Sequence, residues 1–172
     1  MRRKLLLLLA LAALATGFGG RADAKTTDEP AAVETPGAPA TSAKVEEVFA
    51  RFGLFGTWAR ACKDKATPAN PHVAITTKSS PGLVVEDQDL GAGYAVNRYN
   101  VVAAQALSQT RLAVEAIFQP GTPDEEHQWL IYEVRGDTRR TLFNRADNGA
   151  VRVKDGMVLA AHRRTPVLHK CE

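Results

Sequence analysis

At 172 residues, 24% charged and 45% hydrophobic, the chain has room for one ordinary domain and little more. Its 22 Lys and Arg against 19 Asp and Glu give a formal charge of +3, but the excess sits in the first two dozen residues. Without Arg2, Arg3, Lys4, Arg21 and Asp23, 18 groups of each sign remain, and a formally neutral body gives no electrostatic support for a nucleic-acid partner.

Arg2, Arg3 and Lys4 precede an apolar run from Leu5 to Ala15, and Ala22-Asp23-Ala24 follows. Positive head, short apolar middle and small residues at the cleavage positions predict a secretory signal peptide over 1–24. The run falls short of the ~20 apolar residues a bilayer core demands, so no stable membrane anchor is expected after cleavage, and the expected location is the periplasm. No cysteine follows the apolar run, which argues against a lipoprotein. Residues 25–41, KTTDEPAAVETPGAPAT, are rich in Pro and Ala with no large apolar residue except Val33. Such a segment buries too little surface to offset its ordering entropy, so a disordered linker is expected. The domain is then 42–172.

Ser42 to Phe52 reads as the one helix, since Val45, Val48, Phe49 and Phe52 fall on one face. Ser42 is placed as N-cap, and Gly53 can end the helix in a left-handed conformation. Its expected role is to plug the end of a barrel or cover a sheet. From Trp58 onward the pattern has period two. Strands are expected over Trp58–Cys62, Val73–Thr77, Leu83–Leu90, Tyr94–Ala106, Arg111–Phe118, His127–Arg135, Thr138–Asn144, Val151–Lys154, Met157–His162 and Val167–Cys171. Leu112, Val114, Ala116 and Phe118 form one inward set, Leu130, Tyr132 and Val134 another. Short strands with turn signals such as Gly136-Asp137, Asn148-Gly149 and Asp155-Gly156 indicate an all-β barrel or sandwich. An antiparallel up-and-down barrel of about eight strands with one N-terminal helix is the simplest topology.

Two cysteines, Cys62 and Cys171, both lie beyond the signal segment. No C-x-x-C suggests redox work, so a structural disulfide is expected, in keeping with an oxidising compartment. It would join the first strand to the last, which become neighbours in a closed barrel.

Gly56-Thr57-Trp58 resembles the opening strand of the calycin superfamily, which contains lipocalins, fatty-acid-binding proteins and avidins. That resemblance implies a calycin-like barrel in which Trp58 closes the floor and packs on a late basic side chain, here Arg163, Arg164 or Lys170. The lipocalin T-D-Y motif and the avidin biotin contacts have no counterpart, so no ligand is implied. The G-T-W-A opening with a nearby cysteine and the Lys170-Cys171 ending are similar to a group of small exported bacterial proteins of unassigned function. Gly91-Ala92-Gly93-Tyr94 resembles the S-G-x-x-Y loop of the periplasmic inhibitors of C-type lysozyme, though the serine and the later W-x-K-G element are missing.

Catalytic patterns are thin. No G-x-S-x-G, Cys–His pair or glycine-rich phosphate loop occurs, so neither catalysis nor a cofactor is expected. Glu86, Asp87 and Asp89 read as a solvated strand end. The four histidines are scattered, and only a convergence of His162, His169 and a carboxylate would make a metal site. Arg139 and Arg140 point to opposite faces of their strand. If Arg140 faced inward beside Leu142 and Asn144, it would be a buried charge needing Asp87, Glu133 or a carboxylate ligand. Small residues at Ala103, Ala104, Ala106, Ala113, Ala116, Ala160 and Ala161 suggest a hollow interior, whereas Trp58, Phe118, Trp129 and Tyr132 are large enough to fill it. The expected function is interior binding of a small, partly apolar or carboxylate ligand, with Trp58, Arg140, Tyr132 and Trp129 as binding residues. The alternative is a periplasmic surface-interaction or inhibitor-like module, docking on an envelope protein, with a filled core.

Overall fold

A computed structural model describes residues 42–78 and 82–172; the signal segment and the linker lie outside the described residues. Helix α1 (Ser42–Arg51) buries Val45 and Phe49 completely and Val48 in part. Gly53, at φ +65°, ends it. The Gly53 N–H donates to the Ala50 carbonyl (2.9 Å) and the Leu54 N–H to Phe49 (3.0 Å), the paired bonds of a Schellman ending. Among the described residues no helix is long and apolar enough to cross a membrane.

Eleven antiparallel strands follow: β1 (Gly56–Ala59), β2 (His72–Lys78), β3 (Leu83–Asp89), β4 (Asn97–Ala106), β5 (Arg111–Phe118), β6 (Glu126–Arg135), β7 (Thr138–Ala146), β8 (Val151–Lys154), β9 (Met157–Val158), β10 (Arg163–Arg164) and β11 (Leu168–Cys171). Strands β1 to β7 form a meander, β11 pairs with both β7 and β1, and the ring of eight closes. Closure leaves the ring without edges. The remaining strands, β8 to β10, form an excursion alongside the far half of β7. The helix packs on β3 and β4 and closes the end of the bore at which β1 begins.

The inward sets of β5 and β6 follow the expected alternation, with Leu112, Val114, Ala116, Leu130, Tyr132 and Val134 buried. Two bulges break the alternation elsewhere in the ring. Val101 pairs with Ala116 and Ala103 with Glu115, so Val102 is skipped. Ile131 pairs with Phe143 and Tyr132 with Thr141, so Leu142 is skipped. Each bulge reverses the parity of everything beyond it. The expected alanine lining is therefore corrected. Ala104 and Ala116 are buried, Ala103 and Ala113 pair with Glu115 and Gln105 on the outer face, and Ala160 and Ala161 are exposed in a turn.

Three strand ends differ from expectation for local reasons. The first strand stops at Ala59 because the Asn70 side chain takes the next backbone groups. Its Oδ1 accepts from the Ala61 N–H (2.9 Å) and its Nδ2 donates to the Ala61 and Lys65 carbonyls. Tyr94 to Val96 remain in the loop, where the Gln119 side chain occupies the Val96 carbonyl. The stretch expected as a strand over Met157–His162 yields only two paired residues, since His162 turns at φ +47°. Gly91 is fixed by a close approach: a Cβ there would lie 2.2 Å from the Ala66 carbonyl oxygen.

The disulfide links Cys62 to Cys171, with Cα atoms 5.6 Å apart and a sequence separation of 109. Chain-entropy reasoning assigns a loop of this length about 4–5 kcal/mol, much of a typical domain stability of about 5–15 kcal/mol. Replacing both cysteines by serine should lower the unfolding free energy by that order in urea titrations. A loss under about 1 kcal/mol would show that the loop-closure account fails here.

Candidate functional site

In a ring of eight, β3 and β7 stand opposite each other. Glu86 projects inward from β3, sharing the face of Val84; Arg139 projects inward from β7, in register with Val134 and Leu168. They meet across the bore. Arg139 Nη2 donates to Glu86 Oε1 at 2.9 Å and Nη1 to Oε2 at 3.1 Å, with side-chain exposures of only 3% and 6%. The guanidinium carbon lies 4.6 Å from the centre of the Tyr132 ring, and the Tyr132 hydroxyl donates to Glu86 Oε2 at 3.4 Å. Desolvation alone would lower the Arg139 pKa; the Glu86 charge and Tyr132 outweigh it and hold it above its ordinary value. Burial, then the Glu86 charge, pushes both the Tyr132 and Tyr99 hydroxyls well up, so both stay protonated.

On the helix side of this pair the bore is filled by Phe49, Leu54, Trp58, Ile75 and Leu112. On the other side lies a cavity of about 200 Å³. Tyr99, Asn144 and Gln88 face it together with Leu130 and Val73, and its outer wall is the excursion, through Val153, Val158, Thr165 and Pro166. The excursion is needed because β11 covers β7 only at Thr138 and Arg139. Beyond that point the edge of β7 is taken by the Thr165 hydroxyl, donating to the Thr141 carbonyl (2.7 Å), and by the Gly156 N–H, donating to Leu142 (2.8 Å).

A second polar chain runs inward from the surface to the cavity. Arg152 clasps Glu126 with two hydrogen bonds, and those bonds hold the Glu126 carboxyl below its ordinary range. Gln128 Nε2 donates to Glu126 Oε1 at 2.8 Å, and Asn144 Nδ2 donates to Gln128 Oε1 at 2.8 Å. A carboxylate only accepts, so it fixes the Gln128 amide with its oxygen toward Asn144, and this in turn fixes the Asn144 amide. Asn144 Oδ1 is thus held away from Gln128. It is buried with no donor among the described residues.

Of the residues expected to bind, Tyr132 faces the cavity. Trp58 is fully buried on the helix side, its indole N–H donating to the Leu54 carbonyl (2.7 Å). Lys170 Nζ lies 5.6 Å from that ring and donates to the Gly53 carbonyl (2.8 Å), so the late basic partner of Trp58 is Lys170. Trp129 lies on the outer face, under the Arg145 guanidinium at 5.0 Å. Arg140 borders the cavity, but its guanidinium turns to the outer face, paired with Glu133 on β6 at 2.7 Å. The Leu142 bulge is the reason: without it Arg140 and Asn144 would share a face, and with it Asn144 points in and Arg140 out. Glu86, expected as part of a solvated acidic end, is the buried partner instead. Asp87 pairs with Arg98 outside (2.7 Å), and Asp89 accepts from the Gly91 N–H. One signal pointed to Glu86, its shared parity with Val84. Among the described residues no group of three or more His, Cys, Asp or Glu is placed to hold a metal ion, and His162 and His169 are both exposed.

Removing one partner strands the other charge in the bore. Glu86→Gln should cost about 3–5 kcal/mol, while a Glu86→Leu/Arg139→Leu double variant should recover most of it; a single-variant loss under about 1 kcal/mol in denaturant titration would contradict the geometry. The tyrosines give a pH signature. Their folded pKa values lie above the unfolded value of 10.0, so their contribution is fully present below pH 10 and declines as pH rises beyond it. Tyr99→Phe/Tyr132→Phe should flatten the alkaline limb of the stability–pH curve.

Comparison with protein-family models, with curated proteins and with solved structures gave no match, and the reading of the bore rests on its own residues.

Proposed function

We propose that the protein is an exported, non-catalytic β-barrel that binds a small, partly apolar ligand in the cavity beside the Glu86–Arg139 pair. The carrying observation is Asn144, which lines that cavity and whose Oδ1 is a buried acceptor with no donor among the described residues. A buried acceptor without a partner costs about 1–3 kcal/mol, and a ligand hydroxyl or N–H would relieve it. An apolar cavity of about 150 Å³ takes a benzene-sized molecule, so 200 Å³ suits a single small ring with short substituents. Drug-sized pockets start at about 300 Å³. The lining supports binding over chemistry, because Glu86 is engaged by Arg139 and the tyrosine hydroxyls are held protonated. The signal pattern over 1–24 and the disulfide support export to the periplasm.

A second reading draws on the filled half of the bore and on the loop where Tyr94 and Val96 stand exposed: an interaction module working through its surface.

Native mass spectrometry of the protein purified from its own compartment separates the two. A small adduct, present on the parent and absent from Asn144→Leu, is the expected result. An adduct-free parent that also shows no stabilisation by a panel of hydroxylated and amino-substituted single-ring compounds would favour the surface reading.

A further inference from the structure

The excursion has two faces with different characters. The cross-strand register aligns Val153 with Val158 and Arg163, and Lys154 with Met157 and Arg164. Val153 and Val158 turn toward the cavity, which leaves Lys154 and Arg164 flanking Met157 on the face turned away from it. The turn joining β9 to β10 is Leu159-Ala160-Ala161-His162, exposed throughout. Leu159 is 41% exposed and Val167, just beyond β10, 43%. From Val151 to Lys170 the chain carries five Lys or Arg and one acidic residue. Arg152 is paired with Glu126, but Lys154, Arg163 and Arg164 make no ion pair among the described residues.

Cations on an exposed edge strand discourage sheet-to-sheet pairing, and β10 is the last strand of its sheet. That role needs the charges alone. It has no use for an apolar turn projecting in front of them, or for exposed Leu159 and Val167. An apolar tip with a collar of unpaired cations behind it suits one kind of surface, in which shallow hydrocarbon lies beneath a layer of negative headgroups.

We propose that the outer face and tip of the β8–β10 excursion dock on a bilayer containing anionic phospholipid. Leu159, Ala160 and Ala161 enter the headgroup boundary, and Lys154 and Arg164 lie against the phosphates. The inference is independent of what the bore contains. It fits a body without net charge, because attraction depends on the local excess within about a Debye length, roughly 8 Å at physiological salt.

The test is cosedimentation of the disulfide-intact protein with vesicles of phosphatidylglycerol and phosphatidylcholine, and of phosphatidylcholine alone. Binding is expected only with the anionic vesicles and should weaken with salt. It should fall about tenfold or more in Lys154→Glu/Arg164→Glu, and severalfold in Leu159→Ser, which leaves every charge in place. All three positions are exposed and none lines the cavity, so folding is preserved and is checked by circular dichroism. Absence of binding to anionic vesicles overturns the proposal, as does a double charge variant that binds like the parent. So does equal binding of parent and Leu159→Ser to vesicles alongside tight binding to a soluble polyanion, which would assign the patch to an acidic macromolecule.

Discussion

The ion pair across the bore is the constraint on which the rest of the interior depends. Two charges stripped of water are held only because each satisfies the other, with two hydrogen bonds and an aromatic face against the guanidinium. Their reach fixes the separation of β3 and β7, and an eight-stranded barrel is about as wide as paired side chains can fill. The pair also partitions the bore. Hydrocarbon from the helix and from β1, β2 and β5 fills one side, while the other side keeps a cavity with both polar and apolar walls.

That partition explains why the barrel needs its excursion. A plain eight-strand ring would close by pairing β11 along the length of β7. Here β11 is only four residues long and meets β7 at two register positions. The rest of the β7 edge would be open to solvent beside a buried charge pair. The β8–β10 segment supplies Val153, Val158 and Thr165 as a replacement wall, so one element both seals the interior and presents the cationic outer face.

Much of the architecture was legible in the chain because it depends on period and punctuation. The clean alternation of Leu112, Val114 and Ala116, the turn pairs and the two lone cysteines led to an eight-strand closed barrel with first and last strands joined. The interior chemistry was less legible, and the bulges account for it. A bulge leaves no mark that period-two reading detects, yet the one at Leu142 exchanges the faces on either side of it. Hence Arg140 and Asn144, which an unbroken strand would place together, sit on opposite sides of the wall. Glu86 was misplaced for a different reason: beside Asp87 and Asp89 it reads as surface, and its partner lies 53 residues away. Trp129 was taken for a binding residue on its size alone, whereas parity with Gln128 and Leu130 already turns it outward.

The Cys62–Cys171 bond has a consequence for how the protein leaves the compartment it serves. Every turn of the barrel from β2 onward lies between those two residues, so the folded domain is a covalent ring rather than a line. A protease that cuts one exposed turn opens the ring without releasing a fragment. The strands stay paired, the two pieces migrate as one molecule until a reductant is added, and the first cut can be survived. Turnover therefore takes two events, a second cut or the opening of the disulfide, and the lifetime of the protein becomes coupled to the redox state of its surroundings.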